Sequence, residues 1–208
     1  MANLERFQIK GAPTCRVVYP SGLFEKKQVA GVENSEPKYN AFIIVPKDDK
    51  DKVDQLLNAF DLAFKELRAK GFQGKSISSI DRKNNCLIDG DVYADDKDGR
   101  EAFRGYWILK VASKNFRPIV TDMQRLVITN GVPVPGLAIE RMSDQELNDG
   151  DYVFVNVSFW VYVQKTFQGI GCNIHAVVKA GDGEAIGGMS QDVSDYIDMG
   201  EYQVDNAF

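Results

Sequence analysis

Apolar residues recur along this chain at two different spacings. Between Asp49 and Lys70 they fall at every third and fourth position, at Val53, Leu56, Leu57, Phe60, Phe64 and Leu67, while Asp, Lys, Glu and Arg fill the remaining faces. That period predicts one amphipathic helix whose stripe is core. Asp48, Asp49 and Asp51 at its start, Arg68 and Lys70 in its last turn and Gly71 just beyond it suit the partial charges of the two helix ends.

Elsewhere the period is two. The stretches KYNAFIIVP, NNCLIDGDVY, FRGYWILKVASK, FRPIVTD, DYVFVNVSFWVYVQ and GIGCNIHAVV are rich in β-branched and aromatic residues and are bounded by Gly, Pro, Asn and Asp. They read as strands, so the fold class expected is mainly β. In the longest strand Val153, Val155, Val157, Phe159, Val161 and Val163 share one side, which must be core. The other side carries Phe154, Asn156, Ser158, Trp160, Tyr162 and Gln164, large rings set among amides and a hydroxyl. FRGYWILKVASK divides the same way, with Phe103, Gly105, Trp107, Leu109 and Val111 on one side and Arg104, Tyr106, Ile108, Lys110, Ala112 and Lys114 on the other. Its second face is expected to be cationic with an aromatic on it.

Composition changes the picture mainly through charge. The formal net charge of −5 hides an asymmetry, because residues 1–179 hold all 25 basic side chains against 23 acids, and the seven remaining acids lie beyond Lys179. A mildly basic body with an anionic tail points to an anionic partner and to a tail able to compete for the same surface. The Gly-rich GDGEAIGGMSQ reads as a linker, which divides the chain into a folded domain over 1–180 and a flexible acidic tail over 181–208. No apolar run approaches the roughly 18 residues of a membrane span, and the N-terminus lacks a signal-peptide layout. Cys15, Cys86 and Cys172, an odd number at long spacings, suit reduced thiols. The expected location is cytosolic, away from membranes.

The two strand faces supply what a binder of single-stranded nucleic acid requires, cations for phosphates and flat rings for bases, each stack being worth roughly 1–3 kcal/mol. The residues expected to bind are Arg104, Tyr106, Lys110, Lys114, Phe154, Trp160 and Tyr162, with Arg117, Lys165 and Phe167 on adjoining loops. A five-stranded barrel of the OB type presents such faces. The same rings would also suit a subunit interface, so an assembly protein or a homodimer is the reading from a different class.

Catalysis and metal chemistry find little in the pattern, and neither a metal nor a cofactor is expected. DGDVYADDKDGRE misses the spacing of a calcium loop and reads as a charged turn. Cys172 and His175 lie three apart on a strand, on opposite faces, which spoils a zinc site with Cys15 and Cys86. His175, the only histidine, reads as a buried, hydrogen-bonded residue rather than a catalytic base. No P-loop or nucleophile elbow occurs. Asp89 and Asp91 leave open a metal-dependent nuclease, but the expectation is a protein that is not an enzyme.

In that order, KYNAFIIVPK before a helix, DGD followed by GYWILKVAS, then RPIVTD, DGDYVFVNVSFWVYV and GIGCNIHAVVKAGDGEAIGG resemble the single-stranded DNA-binding proteins of tailed phages, over about residues 37–190. The resemblance implies an OB fold, sequence-independent binding of single-stranded DNA, and a role in phage replication or recombination inside the infected bacterial host. Relatives end in an acidic disordered tail closed by Phe. Here Asp192, Asp195, Asp198, Glu201, Asp205 and Phe208 match that design and would recruit replication or recombination proteins, although Tyr196, Ile197, Met199, Tyr202 and Val204 interrupt the acids.

Overall fold

The computed structural model describes residues 7–9, 14–28, 36–80, 82–95, 100–129, 132–138, 140–164 and 167–186. In chain order the elements are β1 (Phe7–Gln8), β2 (Arg16–Val18), β3 (Tyr39–Pro46), α1 (Lys50–Ala69), β4 (Leu87–Asp89), α2 (Gly90–Asp95), β5 (Tyr106–Ser113), β6 (Ile119–Asp122), β7 (Leu126–Thr129), β8 (Val132–Ala138), β9 (Tyr152–Val163) and β10 (Gln168–Gly181).

Five of these strands close on themselves in the order β2, β3, β5, β10, β9 and back to β2. β5 and β10 run parallel, with Asn173 beside Ala112, and the other barrel pairs are antiparallel. The seam between β9 and β2 closes at Arg16 and Tyr152, helped by hydrogen bonds from Val17 N to Asp151 O (3.0 Å) and Val153 N to Cys15 O (2.9 Å). This is the Greek-key barrel of the OB fold, mainly β with one long helix, as the sequence pattern predicts.

The pleat sorts each strand. Val17, Ala41, Ile43, Val45, Leu109, Val111, Val153, Val155, Val157, Phe159, Val161, Ile170, Cys172 and Ile174 point inward and are buried. The stripe of α1 packs against this interior through Leu56, Phe60, Ala63, Phe64 and Leu67, with the Phe60 ring edge-on to Phe159 at 5.5 Å. Asp49 caps α1, accepting from Lys52 N (3.3 Å), Lys52 Nζ (2.7 Å) and Thr14 Oγ1 (2.6 Å). Gly71, at φ 104°, turns the chain away at the other end. The three cysteines are free and buried, and burial pushes the Cys15 thiol up to about 12 and those of Cys86 and Cys172 well above the usual range.

β2, β4 and α2 differ from the sequence pattern, and β1, β7 and β8 lie outside the stretches expected as strands. β2 supplies the first barrel strand from three residues, too few for an alternation to show. NNCLIDGDVY is a strand only over Leu87–Asp89, and the acidic stretch after it, expected as a turn, opens with the helix α2. That helix is seated by Gly90, where an added Cβ would run into the carbonyl oxygens of Phe103 and Tyr106. Together with the turn Glu101–Phe103, α2 covers part of the barrel's outside. Val18, Ile44, Ile88, Phe103, Ile108 and Ile186 form a second buried cluster there, flanked by Phe42, Tyr93 and Tyr106. No helix among the described residues is long and apolar enough to cross a membrane.

Candidate nucleic-acid interface

Residues directly opposite in paired strands face the same side of a sheet. Because Ala41, Val111, Cys172 and Phe159 are interior, their neighbours Asn40, Ala112, Asn173 and Ser158 face out. The pairings Asn40 with Ala112, Ala112 with Asn173, and Asn173 with Ser158 set these four small side chains in one row across β3, β5, β10 and β9. Larger groups flank the row. On one side stand Phe42, opposite Lys110, and Trp160, opposite Gly171. On the other, the Phe116 ring, 41% exposed, stacks on His175 at 5.3 Å and 9°. His175 Nε2 is 2.8 Å from Ser158 Oγ, so the imidazole is hydrogen-bonded, as expected, but half-buried rather than buried.

Trp160 and Tyr162 are held by two glycines. Each faces a glycine of β10, Trp160 over Gly171 and Tyr162 over Gly169, and the rings lie 5.0 Å apart at 37°. A Cβ on Gly169 would come within 2.7 Å of Tyr162 Oη, and one on Gly171 would run into the indole edge of Trp160. The missing side chains let both rings settle on the sheet rather than stand away from it. The turn Arg82–Asn84 ties this pair to the neighbouring strands. It lies alongside β10, where Cys86 N donates to Ile170 O (3.0 Å) and Cys86 O accepts from Lys110 N (2.7 Å). Arg82 O accepts from Lys110 Nζ at 3.0 Å, and Asn84 O and Oδ1 each accept from Tyr162 Oη at 3.2 Å.

Several cations rest on rings. Arg100 and Arg82 lie over Tyr93 at 4.0 and 5.0 Å, Lys26 over Tyr39 at 5.6 Å and Arg117 over Phe24 at 5.9 Å. A ring holds a cation without neutralising it, so the charge of Lys26, Arg100 or Arg117 stays available to a phosphate. Among the described residues no carboxylate lies within ion-pair distance of Lys26, Arg100 or Arg117.

The residues expected from the sequence scatter differently around this frame. Lys110, Trp160 and Tyr162 stand on the outer sheet face and Arg117 close to it. Phe167, 55% exposed, sits at the β9–β10 turn. Phe154 is half-buried outside β9, opposite Val178. The face of β5 is less open than its alternation implies, because Ile108 is fully buried beneath α2 and Tyr106 is half-buried at the edge of the same cluster. Arg104 is held by Glu101 (2.6 Å) and Asp95 (2.9 Å), which raise its affinity for the proton, and Lys114 is paired with Glu36. Lys165 and the tail residues Asp192, Asp195, Asp198, Glu201, Asp205 and Phe208 lie outside the described residues. The strand faces did not single out Phe42, Phe116, Tyr93 or Arg100. Phe42 was legible in principle, since it alternates with core Ile43, but Phe116 and Arg100 reach the face from connections and Tyr93 from α2.

The two carboxylates considered for nuclease chemistry hold an ammonium. Lys47 Nζ sits 2.5 Å from Asp89 and 2.6 Å from Asp91, filling the position between them. Hydrogen bonds from Lys47 and then from the Gly105 N–H hold the Asp91 carboxyl below its usual range. Cys172 points into the barrel and His175 out of it, and among the described residues no three His, Cys, Asp or Glu side chains converge on a metal position.

A family model described as the single-stranded DNA-binding protein of Enterobacter phage Enc34 matches residues 10–207. The chain belongs to this family. Among solved structures, the Enc34 single-stranded DNA-binding protein superposes with a TM-score of 0.58 at 20% identity, over 93% of this chain and 99% of that one. The same Enc34 protein in complex with single-stranded DNA gives 0.57 at 23% identity, over 82% and 85%. The gp2.5 single-stranded DNA-binding protein of bacteriophage T7 gives 0.51 at 12% identity, over 97% and 99%. At these identities the likeness carries the fold. No curated protein matches the sequence.

Proposed function

We propose that this member of the Enc34 family binds single-stranded DNA without reading its sequence, through the outer face of β3, β5, β10 and β9, and protects it during phage replication or recombination in the bacterial cytoplasm. The observation that carries the reading is the row Asn40, Ala112, Asn173 and Ser158, flanked by Phe42, Trp160 and the Phe116–His175 stack. Asn40, Ala112 and Asn173 leave room for the strand beside the buried Ser158, the rings offer stacking surfaces, and Lys110 and Arg117 supply positive charge. In OB folds the face of the second and third barrel strands, here β3 and β5, and the turn between the fourth and fifth, here β9 and β10, are the usual oligonucleotide surfaces.

Fluorescence anisotropy with labelled oligo-dT and the corresponding duplex, at two salt concentrations, tests the reading. Binding confined to the single strand is expected, with affinity falling about 100-fold between 50 and 200 mM salt if about five phosphates are contacted. Equal binding of duplex, or none of oligo-dT at low salt, would instead favour an assembly protein whose aromatic face is a protein interface.

We further propose that the acidic tail competes with DNA and recruits replication or recombination proteins. The chain leading to it is fastened beside the proposed DNA face. Arg16 Nη2 donates to Glu184 O, Gly183 N donates to Asp151 Oδ1 (3.2 Å), and Ile186 N donates to Asp149 Oδ2 (3.1 Å) while its side chain is buried in the second cluster. A tail rooted there is tethered at high effective concentration near the cations it resembles phosphate to. Deleting residues 190–208 is expected to tighten oligo-dT binding about tenfold at low salt, less at high salt, and to abolish capture of a replication partner. Unchanged affinity with unchanged capture would remove the tail from the mechanism.

A further inference from the structure

We propose that Tyr19, Tyr93 and Arg100 form an additional station for one nucleotide of the bound strand, beyond the sheet face; the inference rests on the single-stranded DNA reading above. Tyr19 is the sole non-glycine with positive φ among the described residues, at φ 59° and ψ 50°, and it is 45% exposed. Left-handed backbone is unfavourable for a side chain this large and persists only where the surroundings enforce it. Here they do so through Asp149, whose Oδ1 accepts from Tyr19 N at 2.8 Å, and through the helical turn Pro20–Leu23 that starts at the next residue.

The Tyr19 ring leans edge-on against Phe42 at 5.4 Å and 70°, and Phe42 meets Tyr93 in the same manner at 6.4 Å and 82°. Phe42 therefore joins the two tyrosines to the sheet face, because the residue opposite it is Lys110. Tyr93 in turn is braced edge-on by Phe103 at 5.3 Å and carries Arg100 on its ring at 4.0 Å. Burial, followed by Tyr93 and Asp149 nearby, pushes the Tyr19 phenol up from its ordinary value, so it stays a neutral hydroxyl.

The group combines an exposed neutral ring, which suits the face of a nucleobase, with a guanidinium that can stay stacked on Tyr93 while its N–H edge meets a phosphodiester. The ligand class is a single-stranded polynucleotide, held through one base and one phosphate. Phe42, in contact with both tyrosine rings, links the row to the station.

The test uses the full chain and oligo-dT. Tyr19→Asn keeps a residue that tolerates left-handed backbone and removes the ring; it is expected to weaken binding about 5- to 50-fold while leaving the dependence on salt unchanged. Arg100→Gln is expected to reduce the slope of log affinity against log salt by about 0.7, the value for one lost phosphate contact on a single strand. Both variants are expected to melt like wild type, and the arginine substitution keeps the test alive if the tyrosine one fails to fold. If wild type binds and Trp160→Ala weakens it while Tyr19→Asn and Arg100→Gln bind as wild type does, the station is refuted and the sheet-face reading stands. If wild type fails to bind oligo-dT, the reading beneath the station falls and the station with it.

Discussion

Replacing Trp160 by alanine is expected to weaken oligo-dT binding about 5- to 150-fold, the equivalent of roughly 1–3 kcal/mol for one lost stacking surface. The size follows from where the ring sits. Trp160 is on the outer side of β9, half-buried, settled over Gly171 and leaning on Tyr162, and none of the interior residues of the barrel depends on it. Its loss should cost affinity more than stability. Trp160→Phe keeps a flat ring and should restore most of the binding, and oligo-dA should lose about as much as oligo-dT, since every base has a face to stack. Gly171→Ala should reproduce the defect in milder form, because the new methyl group intrudes on the indole edge and lifts the ring. Wild-type affinity together with a collapsed melting temperature would instead make Trp160 a structural ring and move the binding surface elsewhere.

A second substitution, at the buried first residue of α2, should act on the fold. Gly90→Ala places a methyl group against the carbonyl oxygens of Phe103 and Tyr106. Both belong to the backbone, the second at the first residue of β5, so neither can swing aside as a side chain would. Relief requires α2 to part from the turn Glu101–Phe103, which opens the cluster of Ile44, Ile88, Phe103 and Ile108. The expected cost is about 2–4 kcal/mol, in the range of overpacked cores, seen as a fall in melting temperature of roughly 5–15 °C. Because Tyr93 and Arg100 flank the same contact, oligo-dT affinity should fall as well, even where the variant remains folded. An unchanged melting temperature would show that α2 is free to shift and that it does not roof the barrel as described.

The barrel itself was legible where the pattern is long. Alternation over β9 predicted both of its faces except at the end, where Val163, expected in the core, is exposed, and the three- and four-residue period predicted α1 to within a residue at either end. The candidate site was legible only in part. Trp160, Tyr162 and Lys110 could be found because they alternate with core residues on strands, and a side chain's face is then set by its position alone. Arg104 and Lys114 obey the same alternation, yet the structure turns them toward Glu101, Asp95 and Glu36, partners that a pattern along one strand cannot supply. Phe116 and Arg100 lie in connections, where no periodicity assigns a direction.

By itself, then, the sequence determined most of the barrel interior and the core stripe of α1, that the fold is mainly β with one amphipathic helix, and that the tail is anionic, because these depend on local spacing and on composition. The tertiary structure decided the rest. Register across β3, β5, β10 and β9 placed Asn40, Ala112, Asn173 and Ser158 in one row. Packing of α2 closed half of the β5 face, and a left-handed turn set Tyr19 beside Phe42. Each depends on contacts between residues distant in the chain, and a side chain's neighbours across strands are chosen by register and closure rather than by its own sequence surroundings.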